Sequence, residues 1–212
     1  MVISEFEFGI AMPNSNSLMT IYKTFLDGHF QSQGMADEII ALSEKLVKAT
    51  LNVHKDVSEN FRKTAANFHY EFNIRHLAGV FQGILMSSTA RFKEPERVAY
   101  LWLHEIQRIY GDRLVSEENL ATFAEITQAN AKRSFGEFNM VKFYEDPPAP
   151  LLFAHFMDGL GEEPMYDFVP QIADLKAALE AGLEDYNESN AQMDLVRLMP
   201  HVCRITRVIM TT

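Results

Sequence analysis

The sequence predicts a mainly α-helical fold, with short strands or extended segments only near its beginning and after residue 150. Two observations support this prediction. Apolar residues recur at helical spacing through most of the chain, whereas strict alternation of apolar with polar or small residues is confined to residues 6–12. The 212 residues are 47% hydrophobic and 23% charged, which is typical of a globular protein able to bury a sizeable core.

The first two predicted helices follow the early strand. One begins at Leu18, with Ser17 as its N-cap, and is expected to fray near Asp27 and Gly28. Its apolar residues recur at positions i, i+3, i+4, i+7 and i+8, which places them on one face. The second helix covers residues 36–54 and shows the same pattern.

Three further helices are marked by residues suited to a helix start. Residues 68–72 are aromatic and are predicted to be extended, and Asn73 then caps a helix beginning at Ile74. Pro95 is suited to the first position of the next helix, because proline there loses no hydrogen bond. Ser116 opens a helix over about 117–135, with an imperfect capping box.

The proline-rich stretch at 146–150 marks the predicted boundary between two parts of the chain, since three prolines in four positions cannot lie inside a helix. Residues 151–156 are predicted to form a buried strand or an apolar turn. A helix follows Pro170, and a last apolar pattern at 193–209 is interrupted by Pro200.

The charge is strongly acidic and uneven. The formal net charge is −10, and residues 137–194 carry 13 acidic and 2 basic side chains. We therefore expect no nucleic-acid partner and no anionic membrane partner, because both require Lys and Arg. The single Cys203 excludes a disulfide framework, no apolar run is long enough to span a bilayer, and the first residues do not resemble a secretory signal.

Common catalytic and metal motifs are incomplete in this sequence, so we predict no catalytic residues and no metal site. No glycine precedes a lysine, which excludes the phosphate-binding loop. His104-Glu105 begins like a zinc-protease helix, but Arg108 stands where the second histidine is needed. His69 and His76 are separated by a predicted helix start, and we expect packed or solvated histidines rather than a metal pair. His201 and Cys203, two residues apart on a helix, would point to different sides, which favours a buried thiol.

Arg75 is the candidate functional residue. It lies in the first turn of a predicted helix, directly after the aromatic stretch, and could contact an anion such as a phosphate with two hydrogen bonds. Considered alone, a surface or ion-paired arginine is the simpler interpretation.

Several strings in sequence order resemble dynein heavy chains. Residues 69–83, HYEFNIRHLAGVFQG, are similar to the family's HYxFNxRDLxxxFQG segment in the helical lid of the third AAA+ module. Residues 101–114 resemble its LWxHExxRVxxDRL helix, and residues 13–30 resemble the passage from the large subdomain into the lid. Residues 186–207 resemble the entry to the fourth module, and the middle of the chain is closer to axonemal outer-arm chains.

The resemblance implies an organisation and a role for the chain. Residues 1–17 would end the large subdomain of the third module, 18–145 would form its lid, and 146–212 would be a linker and the opening of the fourth module. The lid would couple nucleotide state in the ring to ATP-driven, minus-end-directed movement on microtubules. Arg75 would correspond to the arginine called sensor 2, which reaches the terminal phosphates of the nucleotide.

The same resemblance implies the cofactors, partners and location. ATP or ADP and Mg²⁺ would be bound by the intact motor and not by this chain alone, which should not hydrolyse ATP. Partners would be the rest of the dynein ring, intermediate and light chains, and microtubules. The location would be the cytoplasm and cytoskeleton, in the axoneme of a cilium or flagellum.

Two departures and two alternatives accompany this reading. His76 replaces the Asp that follows the arginine in the family, and Pro200 falls where the family's last helix should be continuous. One alternative is an acidic helical adaptor, whose 137–194 surface would meet a basic partner. The other is an enzyme that uses Cys203 or a histidine.

Overall fold

The structure, a computed structural model, describes residues 13–157, 165–189 and 199–210. Its helices are α1 (Ser15–Ser32), α2 (Asp37–Ile40), α3 (Ser43–Asn60), α4 (Ile74–Ile84), α5 (Pro95–Ile109), α6 (Glu117–Phe135), α7 (Ile172–Ser189) and α8 (Met199–Ile209). The strands β1 (Leu152–Ala154) and β2 (Asp167–Val169) pair antiparallel, with Leu152 opposite Val169. The predicted mainly α-helical fold is confirmed, while the predicted strand at 6–12 lies outside the described residues.

The helices before residue 136 form a bundle around α5. One continuous core joins α1 to α6, and it extends to Phe153 and Tyr166 in the later part of the chain. Trp102 of α5 is fully buried at its centre, where its indole N–H donates a hydrogen bond of 2.9 Å to the Thr50 hydroxyl. A smaller cluster of Ala154, Val169, Leu175 and Cys203 holds the strands against α7 and α8.

The prediction for the first helix was wrong at both ends. The side chain of Asn14, and not that of Ser17, is the N-cap, because Asn14 Oδ1 accepts the Ser17 backbone N–H at 2.8 Å. The helix continues through Gly28 to Ser32 without fraying. Burial explains the continuation, since the fully buried Phe30 lies one turn beyond Leu26 on the same face.

The predicted helix over 36–54 is two helices, α2 and α3, with a break at residues 41–42. The second begins at Ser43, whose buried hydroxyl hydrogen-bonds the Asp27 carboxylate of α1. Such a side-chain bond at a helix start competes with regular backbone pairing and fixes the junction.

Three predicted helix starts are confirmed. Asn73 caps α4, Pro95 is the first residue of α5, and the Ser116 side chain accepts the Asn119 N–H at the start of α6. Residues 68–72 pair with no described strand, so that stretch is a loop containing a turn. Among the helices described, none is long and apolar enough to cross a membrane.

The later part of the chain follows the predicted order in outline. Residues 146–150 form a loop, β1 lies within the predicted 151–156 strand, and α7 follows Pro170. Pro200 lies in the first turn of α8, where its missing N–H has no intrahelical partner to lose. The predicted apolar pattern before Pro200 falls mostly on residues 190–198, which lie outside the described residues.

Candidate site at the start of helix α4

Arg75 lies in the first turn of α4, as predicted, and its side chain is exposed. Its backbone N–H donates to Asn73 Oδ1 at 3.0 Å, so the cap fixes the backbone from which the guanidinium extends. No ion pair joins Arg75 to a carboxylate of residues 13–157, 165–189 or 199–210. The arrangement therefore presents a cation at a helix N-terminus, where anions are favoured.

His76 completes the cap of the same helix. The backbone N–H of Asn73 donates to Nδ1 of His76 at 2.9 Å, and this bond is the second half of a capping box. Burial lowers the pKa of His76, the nearby charge of Arg113 lowers it further, and the hydrogen bond from Asn73 and the charge of Glu71 oppose the change. The imidazole thus accepts the N–H that an Asp at this position could accept.

The loop beside Arg75 is held by the aromatic stretch. The buried Tyr70 hydroxyl accepts the Val115 backbone N–H at 3.1 Å and the side-chain amide of Asn119 at 2.9 Å. His69 Nε2 lies 3.1 Å from the carbonyl oxygen of Arg113. The segment before α4 therefore anchors the residues that join α5 to α6, and His69 and His76 each contact different protein groups.

His104 and Glu105, the incomplete zinc pattern, lie in a buried network instead. Glu105 Oε2 is 2.7 Å from Nη2 of Arg108, and its Oε1 accepts the Tyr166 hydroxyl at 3.1 Å. Arg204 of α8 donates to Nε2 of His104 at 2.7 Å. Arg108 occupies the position at which a zinc-binding helix has its second histidine, and here it neutralises the Glu105 carboxylate. In the part of the chain that is described, no group of three or more His, Cys, Asp or Glu could hold a metal ion.

The ionisation of this network follows from its burial. Burial lowers the pKa of His104, and the positive charges of Arg204 and Arg108 lower it further against the opposing effect of Glu105. Because Nε2 accepts from a guanidinium, the imidazole is neutral. Burial raises the pKa of Glu105, but the hydrogen bond to His104 and the charge of Arg108 outweigh it, so the pKa lies below that of an ordinary carboxyl.

Cys203 and His201 lie on different sides of α8, as predicted. The Cys203 side chain is buried in the small cluster beneath β1, and His201 is exposed. Burial raises the pKa of the Cys203 thiol. A buried thiol without an adjacent imidazole base lacks the features of a nucleophile.

An open groove of about 840 Å³ lies between α1, α3 and the loop at 61–72, and no pattern in the sequence predicts it. Its walls combine the apolar side chains of Leu18, Leu51 and Phe61 with Lys and Arg side chains, and Arg75 is not among its lining residues. The groove joins residues that are tens of positions apart, so no local pattern marks it.

Comparisons with known proteins agree with this geometry. A model of the AAA+ lid domain matches residues 46–143. The chain is 44% identical over 204 residues to the dynein alpha chain of the flagellar outer arm of Chlamydomonas reinhardtii, a match that covers 94% of this chain. It is 37% identical to the ciliary dynein beta chain of Tripneustes gratilla and 37% identical to human dynein axonemal heavy chain 17, over 95% of this chain in each case.

The chain spans about 4% of the length of each of these relatives. The similarity extends over nearly all of its residues, and the helical bundle agrees with the matched lid domain. The chain therefore belongs to the axonemal dynein heavy chains, of which it represents a segment that contains an AAA+ lid.

Proposed function

We propose that this segment is the lid of the third AAA+ module of a dynein heavy chain, and that it couples nucleotide state in the ring to ATP-driven, minus-end-directed movement on microtubules. In this proposal residues 1–17 end the large subdomain, 18–145 form the lid, and 146–212 are a linker and the opening of the fourth module. Support comes from the lid match at 46–143, the order of the motifs and the loop at 146–150.

The observation that carries the proposal is the placement of Arg75. The guanidinium is exposed in the first turn of a helix whose backbone is fixed by Asn73 and His76. A rigidly based donor of this kind can stabilise the charge that develops on a phosphoryl group. We assign Arg75 the sensor-2 role, in which it reads the phosphates of a nucleotide held by the adjoining large subdomain.

ATP or ADP and Mg²⁺ belong, in this proposal, to the intact motor. The sequence has no phosphate-binding loop, and among the described residues we assign the phosphate contact to Arg75. The nucleotide would supply the phosphoryl group, and the role of this chain would be to contact it and move with it. We therefore expect no ATP hydrolysis by the 212-residue chain alone.

Partners and location follow from the relatives. We propose that the segment works within a dynein ring, with intermediate and light chains and microtubules as partners of the whole motor, in the axoneme of a cilium or flagellum. The relatives are named as flagellar, ciliary and axonemal dyneins, which supports this location. Nothing in the comparisons supports a free-standing adaptor.

A substitution in a motor tests the role of Arg75. A heavy chain carries this sequence in place of its own corresponding segment, and ATP-dependent release from microtubules is measured. We expect Arg75→Ala to weaken the response by roughly tenfold or more, since a charge-assisted hydrogen bond contributes about 1.5–3 kcal/mol. Lys93→Ala, which removes an exposed cation from the loop before α5, is the control and should leave the response unchanged. An unchanged response in Arg75→Ala would disprove the sensor role.

A further inference from the structure

The helix that carries Arg75 touches a buried carboxylate at its other end. Gly83 of α4 has no side chain, and the Glu105 carboxylate of α5 occupies the space beside it. A Cβ built on Gly83 would overlap Oε2 of Glu105, so the two could not coexist without a shift. Glu105 is completely buried, so its position is set by the groups around it.

The two oxygens of Glu105 face different partners. Oε2 accepts from Nε and Nη2 of Arg108 at 2.9 and 2.7 Å, within α5 itself. Oε1 accepts the hydroxyl of Tyr166, which directly precedes β2, at 3.1 Å. The carboxylate therefore connects the lid helices to the part of the chain that follows the proline loop.

The adjacent His104 adds α8 to the same cluster. Its Nδ1 lies 3.3 Å from the Tyr166 hydroxyl, and its Nε2 accepts from Arg204 at 2.7 Å. Arg204 also pairs with Asp112, which follows α5, at 2.8 Å. Glu105, His104 and Tyr166 are buried, so the hydrogen bonds among them are shielded from competition with water, whereas Asp112 is exposed.

We propose that Glu105 is a positioning residue that ties α4, and with it Arg75, to the β1, β2 and α8 segment, so that a displacement of the Arg75 helix moves that segment. This inference rests on the proposed function for the sensing role of Arg75. The physical tie itself is separate from that role: Gly83 gives Glu105 its place against α4, and Tyr166 and His104 carry the contact across to β2 and α8.

Hydrogen exchange of the full 212-residue chain tests the tie. Tyr166→Phe removes one hydroxyl and keeps the ring, and Gly83→Ala places a methyl group where the carboxylate lies. We expect both to accelerate exchange in β1, β2 and α8 by roughly tenfold or more, while α1 and α3 keep their protection.

Gly79→Ala is the matched control. It gives α4 the same gain in helix propensity, and its Cβ would meet only the flexible side chain of Ile109, whose terminal Cδ1 would lie 2.9 Å away. Exchange in β1, β2 and α8 should be unchanged in this variant. Unchanged exchange in Tyr166→Phe, or equal acceleration in Gly79→Ala, would overturn the tie.

The effect of this tie on function is tested in the dynein heavy chain that carries this sequence. We expect Arg75→Ala to lower both the apparent ATP affinity and the ATP-dependent release from microtubules. Tyr166→Phe should leave the ATP affinity unchanged and reduce release by severalfold, and the double variant should release no worse than Arg75→Ala. Additive losses, or full release in Tyr166→Phe, would overturn the proposal. A full response in Arg75→Ala would overturn the sensor role alone, and the exchange result would still decide the tie.

Discussion

The imidazole of His76 accepts the backbone N–H of Asn73 at 2.9 Å, while the side chain of Asn73 accepts the backbone N–H of Arg75 in the first turn of α4. The residue that departs from the family pattern thus preserves the helix start that positions Arg75. A capping box needs an acceptor at this place, and a neutral imidazole supplies one as a carboxylate does.

Two substitutions at His76 should therefore have opposite outcomes. His76→Ala removes the acceptor and should lower the free energy of unfolding by about 1 kcal/mol, the usual cost of a lost cap. His76→Asp keeps an acceptor and adds a negative charge at a helix N-terminus, so the free energy of unfolding should be unchanged or higher by about 0.3–1 kcal/mol. Urea unfolding at pH 7.5 measures both. Equal losses in the two variants would contradict the capping role.

The hydrogen bond between Trp102 and Thr50 should contribute measurably to stability. Both side chains are fully buried, and Thr50→Val removes the acceptor of the indole N–H at nearly constant volume. We expect a loss of about 1–3 kcal/mol, because a buried donor is left without a partner. Circular dichroism during urea unfolding gives the free energy.

A double-mutant cycle isolates that bond. In a Trp102→Phe background no indole N–H remains, so Thr50→Val should cost much less than in the parent chain. The same cost in both backgrounds would show that the lost energy comes from packing around Thr50 and not from the bond.

Local signals explain which elements could be predicted from the sequence. Asn73, Pro95 and Ser116 act on backbone groups within three residues, so their chemistry is visible in the sequence itself. The end of α1 was misjudged because burial of Phe30 outweighs the local effect of Asp27 and Gly28. The bond between His104 and Arg204 joins residues 100 positions apart, and no periodicity or spacing indicates such a contact.

The candidate site divides in the same way. Arg75 and its cap lie within one stretch of sequence, so the helix start and the exposed cation could both be predicted. The Glu105 network could not be predicted, because Tyr166 and Arg204, which complete its hydrogen bonds, follow the proline loop and are distant in sequence. The incomplete zinc pattern was set aside because of Arg108, but the ion-paired network that these residues form is visible only in three dimensions.

The thiol of Cys203 should react slowly in the folded chain. It is buried, and burial raises its pKa, so both access and the thiolate fraction are reduced. We expect labelling by a disulfide reagent at pH 7.5 to be at least tenfold slower than in urea-unfolded chain. A cysteine introduced at an exposed position of α6, by Ala121→Cys or Ala129→Cys, gives the rate for an accessible thiol. Fast labelling of native Cys203 would revive the enzyme alternative.

His104 should make the chain less stable in mild acid. It is faced by Glu105 and Arg108 from α5, by Tyr166 before β2 and by Arg204 from α8, and Arg204 is itself paired with Asp112. Its pKa is lowered in the folded chain, so the unfolded chain binds the proton more readily. The contribution of His104 to the free energy of unfolding is therefore fully present above its unfolded pKa of about 6.5. It is lost as pH falls below that value, by up to about 1.4 kcal/mol per pH unit.

His104→Gln separates this effect from those of His54, His76 and His155, whose pKa values are also lowered by burial. The Gln carbonyl can accept from Arg204 without gaining a proton, so urea unfolding between pH 7.5 and 5.5 should show a smaller loss of stability than in the parent chain. Because protonated His104 would face the Arg204 guanidinium, hydrogen exchange in α8 should accelerate in acid in the parent and much less in the variant. Identical pH dependence in the two chains would mean that the pKa of His104 is the same in the folded and unfolded states. The assignment of His104 as a neutral acceptor would then be wrong.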